Sequence, residues 1–97
     1  MKIKILPSAL DDLSNGRLFY ERQGEELGEY FFDSLFSDID SLVLYAGIHK
    51  KHFGYYRMLS KRFPYAIYYK LDDNYMVVVW RVLDLRRDPQ KIKQSLM

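Results

Sequence analysis

Cationic and aromatic residues are interleaved through the second half of the chain in a pattern that suits binding to RNA. When successive strand residues are assigned to opposite faces of a sheet, one face collects this set: Arg57, Lys61, Tyr68, Lys70, Trp80, Asp84 and Arg86, with Arg87 at its edge. Guanidinium and ammonium groups bind phosphates, and aromatic rings stack on unpaired bases. An ordinary solvated strand surface, with Trp80 in the core, is the alternative. The cluster as a whole favours a functional face.

Two further groups of side chains fall outside that face. Arg81 is assigned to the opposite face, next to the helices, and we expect it to pair with an acidic residue of the second helix. His49 and His52 enclose Lys50 and Lys51, whose charges would repel a metal cation. The sequence therefore predicts a solvated or phosphate-contacting loop there, with the two lysines as candidate target-binding residues and no metal site.

Charge is divided unevenly between the two halves of the chain. Residues 1–48 hold four basic and nine acidic residues, a net charge of −5, whereas residues 49–97 hold eleven basic and four acidic residues, a net charge of +7. Such an asymmetry indicates a polyanion or an acidic protein as the partner, although a solvated surface without a partner is an equal alternative from charge alone.

Length and composition limit the class of protein. The chain has 97 residues, of which 48% are hydrophobic and none is cysteine, so we expect one domain over residues 1–97 without disulfides or a cysteine-ligated metal. No apolar run approaches the roughly 20 residues of a membrane span, and no signal peptide is apparent. We expect a cytoplasmic protein that does not contact the membrane and needs no cofactor.

The hydrophobic periodicity predicts an α+β domain. A charged and apolar alternation at Lys2–Leu6 predicts a strand, and Ser8 could cap a helix that begins at Ala9. A second helix follows from the apolar spacing at Leu27, Phe31, Leu35, Ile39 and Leu42. The remaining predicted elements are three strands and a short helix, at Tyr55–Lys61, Tyr65–Leu71, Tyr75–Leu85 and Gln90–Leu96. The order β-α-α-β-β-β-α gives a mostly antiparallel four-stranded sheet packed against a helical hairpin.

Two segments of this order resemble the RelE/ParE superfamily of toxins from bacterial type II toxin–antitoxin modules. Residues 56–69, which read YRMLSKRFPYAIYY, look like the central strand pair of the superfamily. Residues 77–89, which include Arg81-Val82-Leu83-Asp84-Leu85-Arg86-Arg87-Asp88-Pro89, look like its last strand and exit segment. The resemblance spans almost the whole chain.

The resemblance implies a growth inhibitor that is neutralised by a cognate antitoxin, with one of two targets. One branch of the superfamily cleaves messenger RNA on the ribosome without a metal; in that branch Arg57 would bind phosphate and Arg86, or Arg87, would stabilise the transition state, with Tyr68 stacking on a base or transferring a proton. The other branch poisons DNA gyrase and is not a nuclease. Ala66, where nucleases often carry arginine, favours the gyrase branch. A degenerate member without toxicity and a homodimer also remain open.

Overall fold

The computed structural model describes all 97 residues. It contains a five-stranded sheet packed against a hairpin of two long helices. In chain order the elements are β1 Lys2–Ile5, α1 Pro7–Glu21, α2 Leu27–Asp40, α3 Leu42–Tyr45, β2 Lys51–His52, β3 Tyr55–Leu59, β4 Tyr65–Leu71, β5 Met76–Asp84 and α4 Pro89–Ser95. The strands lie in the order β1-β5-β4-β3-β2, with β1 parallel to β5 and every other pair antiparallel. The predicted α+β class and helical hairpin are confirmed.

The sheet has one strand more than the four predicted. The additional strand, β2, is only two residues long and pairs with Tyr55 and Tyr56. A two-residue turn at Phe53 and Gly54, both with positive φ (56° and 85°), reverses the chain between β2 and β3. Two residues are too few to show an alternating pattern, which is why the sequence gives no sign of this strand.

Helix α1 begins two residues earlier than predicted, at Pro7, and Ser8 does not cap it. Pro7 occupies the first helical turn, where the missing N–H carries no cost. The Ser8 hydroxyl instead donates a hydrogen bond to the backbone carbonyl of Trp80, at 2.7 Å. Ser8 therefore provides a hydrogen bond to β5 just after Val79, the last residue of β5 that pairs with β1.

The two long helices approach each other closely at glycine positions. A methyl group at Gly16 would lie 2.5 Å from the ring of Phe31, and one at Gly28 would lie 2.6 Å from the backbone oxygen of Arg17. The low helix propensity of Gly16 is thus offset by packing, because its missing side chain makes room for a fully buried aromatic ring.

The turn between β4 and β5 spans residues 72–75. The residue with positive φ is Tyr75 (57°), not Asn74. The Asp72 carboxylate accepts hydrogen bonds from the backbone N–H groups of Asn74 and Met76, so it closes a longer turn through its side chain.

Apolar side chains are buried on both faces of the sheet. The larger cluster lies under the helical hairpin and includes Phe31, Leu35, Ile67 and Val79. A smaller cluster lies on the other face, where α4 covers it, and consists of Tyr55, Ala66, Tyr68, Leu83, Ile92 and Leu96. The sheet face that the sequence predicts to be functional is therefore largely covered by α4.

A β-bulge in β5 changes which face the end of that strand presents. Tyr68 pairs with Arg81 and Tyr69 pairs with Val79, so Trp80 has no partner in β4. Val79 packs under the hairpin before the bulge and Val82 does so after it, whereas Leu83 packs under α4. The predicted alternation, which placed Asp84 and Arg86 on the same face as Trp80, is wrong beyond Trp80 because the extra residue reverses the parity. None of the helices is both long and apolar enough to span a bilayer.

Candidate functional site

Arg57 lies on the sheet face that α4 partly covers. It pairs across the ladder with Tyr68, whose side chain is only 1% exposed beneath Ile92 and Leu96. Burial raises the pKa of the Tyr68 hydroxyl, while the adjacent Arg57 guanidinium acts to lower it. Tyr68 is thus part of the packing under α4, and its ring has no free surface on which a base could stack.

Lys70 and Trp80 occupy the same face, and each is engaged with a neighbour. The Lys70 ammonium lies 4.5 Å from the ring centroid of Tyr55 and 5.2 Å from that of Trp80. Trp80 packs against the α4 cluster, and its indole N–H is buried without a hydrogen-bond partner. These cation–π contacts hold the lysine over the aromatic surface.

Asp84 and Arg86 form an ion pair on the opposite face, next to the helical hairpin. Arg86 donates two side-chain hydrogen bonds to the Asp84 carboxylate, at 3.0 and 2.7 Å. Its guanidinium also lies 3.4 Å from the Tyr20 hydroxyl and 5.8 Å from the Phe19 ring centroid, both on α1. Burial acts to raise the pKa of Asp84, but the hydrogen bonds from Arg86 outweigh it and hold this pKa below its usual value.

The predicted single face is therefore wrong: Arg57 and Arg86 project from opposite sides of the sheet. Asp84 pairs with Tyr65, which packs under the hairpin, whereas Arg57 pairs with Tyr68 under α4. The bulge at Trp80 is the physical reason, since it moves every later residue of β5 to the other face. Arg87 lies near Arg86, at a small cavity of about 210 Å³ between α1 and β5.

Arg81 pairs with an acidic residue of the first helix, not the second. Its Nε and Nη2 donate to the two carboxylate oxygens of Asp12, at 2.7 and 2.8 Å, and the N–H of Val82 donates to the same carboxylate at 2.9 Å. Arg81 Nη1 also donates to the backbone oxygen of Ser95. One side chain thus joins β5 to both α1 and α4, which is a structural role.

A cleft of about 560 Å³ beside β3 brings together three of the predicted cationic residues, namely Lys50, Arg57 and Lys61. His49 and His52 line it as well, together with Tyr45 and Ile48. Lys51 does not line it, and its ammonium lies 4.9 Å from the Tyr56 ring centroid. The sequence placed the two histidines in a loop but did not assign them to a site, since only the β2–β3 turn brings them beside Arg57. No cluster of three or more histidine or carboxylate side chains could hold a metal ion.

Comparison with known proteins identifies the class of protein as a RelE/ParE-superfamily toxin. A family model described as "ParE toxin of type II toxin-antitoxin system, parDE" matches residues 3–89. The chain belongs to this ParE toxin family. No curated protein matches the sequence.

The solved structures that are similar in fold include one that matches over nearly the whole chain. It is described as the chromosomal ParDE toxin–antitoxin system from P. aeruginosa, with a TM-score of 0.79 at 16% sequence identity. The superposition covers 89% of this chain and 97% of the other. The protein is accordingly the toxin component of a type II toxin–antitoxin system, and it has a cognate antitoxin as a partner.

Proposed function

We propose that this toxin inhibits growth by binding DNA gyrase in the cytoplasm, and that it does not cleave messenger RNA. The separation of Arg57 from Arg86 carries the proposal. Metal-free cleavage of RNA needs several charged groups within a few ångströms of one phosphate, because catalysis of this kind depends on position. Two guanidinium groups on opposite faces of a sheet cannot act on the same phosphodiester.

The state of the other predicted catalytic residue supports the same conclusion. Tyr68 is buried under α4 and its pKa is raised, so it is poorly placed to exchange a proton with a substrate at neutral pH. Arg86 is engaged with Asp84 and Tyr20, so its charge is already partly neutralised. Membership of the ParE family is consistent with an inhibitor that acts on gyrase.

The surface offers two features for neutralisation by the antitoxin. Apolar side chains are exposed along the helical hairpin, with Leu18 56%, Phe19 43% and Tyr30 50% exposed. The second half of the chain carries a net charge of +7. An antitoxin segment that is partly apolar and partly acidic would bury the first and neutralise the second. We therefore propose that it covers the hairpin and continues over the cationic surface.

Induced expression in a bacterial host, with and without the antitoxin, tests this function. The toxin alone should stop growth and switch on a reporter of DNA damage, and the antitoxin should abolish both effects. Purified gyrase should lose supercoiling activity in the presence of the toxin and regain it when the antitoxin is added. Growth arrest with normal supercoiling and a silent reporter would contradict gyrase as the target, and unimpaired growth would identify a non-toxic binding module.

A further inference from the structure

One buried hydroxyl group attaches the segment at residues 46–52, which joins α3 to β3 and contains β2, to the core of the protein. The Tyr69 hydroxyl accepts a hydrogen bond from the backbone N–H of Gly47, at 2.9 Å, and contacts Nδ1 of His49. The rings of Tyr69 and His49 meet edge to face, with their centroids 5.6 Å apart. Tyr69 is fully buried and belongs to β4, the middle strand of the sheet, so the point of attachment is fixed.

The hydrogen bonds at this point assign the protons of both side chains. The Tyr69 hydroxyl has one proton to donate, and His49 is the only acceptor within hydrogen-bonding distance of it. An O–H group that is buried without an acceptor is costly, so this proton goes to Nδ1 of His49. The ring of His49 then carries its own proton on Nε2. Every group is satisfied only while His49 is neutral.

A second proton on His49 is incompatible with this arrangement. The protonated ring has a donor at both nitrogens, so Nδ1 would present an N–H to the Tyr69 hydroxyl. The hydroxyl could accept that bond only by turning its own proton into the core, where it has no partner. Protonation therefore costs the attached segment a hydrogen bond that a released, hydrated segment does not lose. Burial acts in the same direction and lowers the pKa of His49.

The charges around His49 also oppose its protonation. The other titratable side chains that line the same cleft are Asp38, Tyr45, Lys50, His52, Arg57 and Lys61. The Asp38 carboxylate is buried and accepts hydrogen bonds from the Ser60 hydroxyl, at 2.7 Å, and from the backbone N–H of Lys61, at 3.4 Å. It is therefore bound to the loop after β3 and not to the histidine. A proton on His49 adds positive charge to a set in which three groups are already cationic.

The other attachments of the 46–52 segment are few. Strand β2 has only two residues, which pair with Tyr55 and Tyr56, and the backbone oxygen of Lys50 accepts a hydrogen bond from the N–H of Arg57 at 3.0 Å. The side chain of Ile48 is 72% exposed and adds little packing. Segments with so few buried contacts open at a low free energy, so loss of the Tyr69 contacts is enough to release this one.

We propose that the 46–52 segment is a pH-sensitive strap, which is closed over the sheet while His49 is neutral and is released when His49 binds a proton. Release uncovers the outer edge of β3, whose unpaired backbone groups can then pair with another strand. The strap is independent of the gyrase proposal, because it consists of contacts within this chain.

The direction of the pH dependence follows from the two states of His49. In the released strap its pKa has the ordinary value of about 6.5, whereas in the closed strap burial lowers the pKa. The released state thus binds more protons in the range between the two values. Closure is fully stabilised above about pH 6.5 and weakens as pH falls, until pH reaches the lower pKa of the closed state.

Hydrogen exchange of the Gly47 amide, followed by NMR on the purified full chain, tests the strap. This N–H bonds to Tyr69, so its protection measures closure directly. After correction for the intrinsic pH dependence of exchange, its protection factor should fall about three- to tenfold between pH 7.5 and pH 5.5. The amide of Ile67, in the middle of β4, should keep its protection. Constant protection of Gly47, or an equal fall at Ile67, would overturn the proposal.

Two histidine variants separate the strap from a general effect of acid. His49→Asn offers a carbonyl oxygen to the Tyr69 hydroxyl but cannot titrate, so protection of Gly47 should no longer depend on pH. His52→Asn removes the other imidazole of the segment and is the matched control, in which the fall should remain. A fall of the same size in His49→Asn would overturn the proposal. If His49→Asn fails to fold, a titration midpoint of the His49 ring at or above about pH 6.5 in the unmodified protein would overturn it equally well.

Discussion

Arg57 and Arg86 project from opposite faces of the sheet, Arg57 beside the buried Tyr68 and Arg86 against Tyr20 of the first helix. A single unpaired residue, Trp80, produces this separation by reversing the alternation of β5. The two arginines that the resemblance implies as catalytic residues therefore do not share a face. This separation favours a role for the two arginines in binding a partner.

The Asp12–Arg81 ion pair should contribute strongly to stability. Asp12→Asn leaves the guanidinium of Arg81 and the N–H of Val82 without their charged acceptor. The site is largely shielded from solvent, because the Asp12 side chain is 11% exposed and the Arg81 side chain is 24% exposed. We expect the free energy of unfolding to fall by about 2–3 kcal/mol, as measured by urea denaturation. Asp11→Asn, at the neighbouring exposed position, is the control and should change it by less than about 0.5 kcal/mol. Equal losses of unfolding free energy in the two variants would contradict a specific contribution from the Asp12–Arg81 pair.

Gly16→Ala should destabilise the protein even though alanine favours helices. The added methyl group would lie 2.5 Å from the Phe31 ring, which is fully buried and has no room to move. Overpacking of this kind costs about 1–3 kcal/mol, more than the roughly 1 kcal/mol gained in helix propensity. Gly24→Ala is the matched control, because its new methyl group would meet only Leu27, at 3.9 Å. A midpoint of thermal unfolding that rises in Gly16→Ala would contradict the close approach of the two helices.

Phe53 adopts a backbone conformation that bulky residues avoid. Its φ of 56° places it at the first position of the β2–β3 turn, where asparagine or glycine is favoured. Phe53→Asn should therefore raise the free energy of unfolding by about 0.5–1 kcal/mol in a denaturant titration. Phe53→Ala, which removes the ring but keeps the β-carbon, should give no such gain. A loss of stability in Phe53→Asn would mean that the half-exposed ring makes a contact worth more than the strain.

The Asp84–Arg86 pair should give stability a dependence on pH. Because the pKa of Asp84 is lowered in the folded state, the unfolded chain binds more protons at acidic pH. The contribution of this carboxylate is therefore fully present above its ordinary pKa of about 3.9 and is lost as pH falls through the lower, folded value. Asp84→Asn should be less stable than the unmodified protein at pH 7, and the difference should shrink below about pH 4. Urea titrations at both pH values measure it, with Asp73→Asn, in the exposed turn, as the control. A difference in stability between Asp84→Asn and the unmodified protein that stays constant or grows on acidification would contradict a lowered pKa of Asp84 in the folded state.

The sequence predicts the fold well because its main signals are local and periodic. The apolar stripe of α2, the alternation at Lys2–Ile5 and the aromatic strands each indicate one element without reference to the others. The superfamily resemblance then supplies the order in which they pack. The antitoxin as partner, implied by the same resemblance, is also confirmed.

The site was harder to predict because it depends on contacts between distant residues. A bulge adds one residue with no distinctive side chain, so strict alternation places Asp84 and Arg86 on the wrong face. The pairing of Arg81 with Asp12 joins residues 69 positions apart, and no local pattern shows which acid a buried arginine will meet. The catalytic and target-binding roles assigned to individual side chains remain predictions.

Mapping of transcript 5′ ends in cells that express the toxin tests the central claim most directly. If the two arginines cannot share a substrate, induced cells should show no new 5′ ends within translated messages during growth arrest, while plasmid DNA loses its negative supercoiling. Discrete new 5′ ends that disappear in both Arg57→Ala and Arg86→Ala would show that the two residues act on one phosphodiester, and would contradict the account.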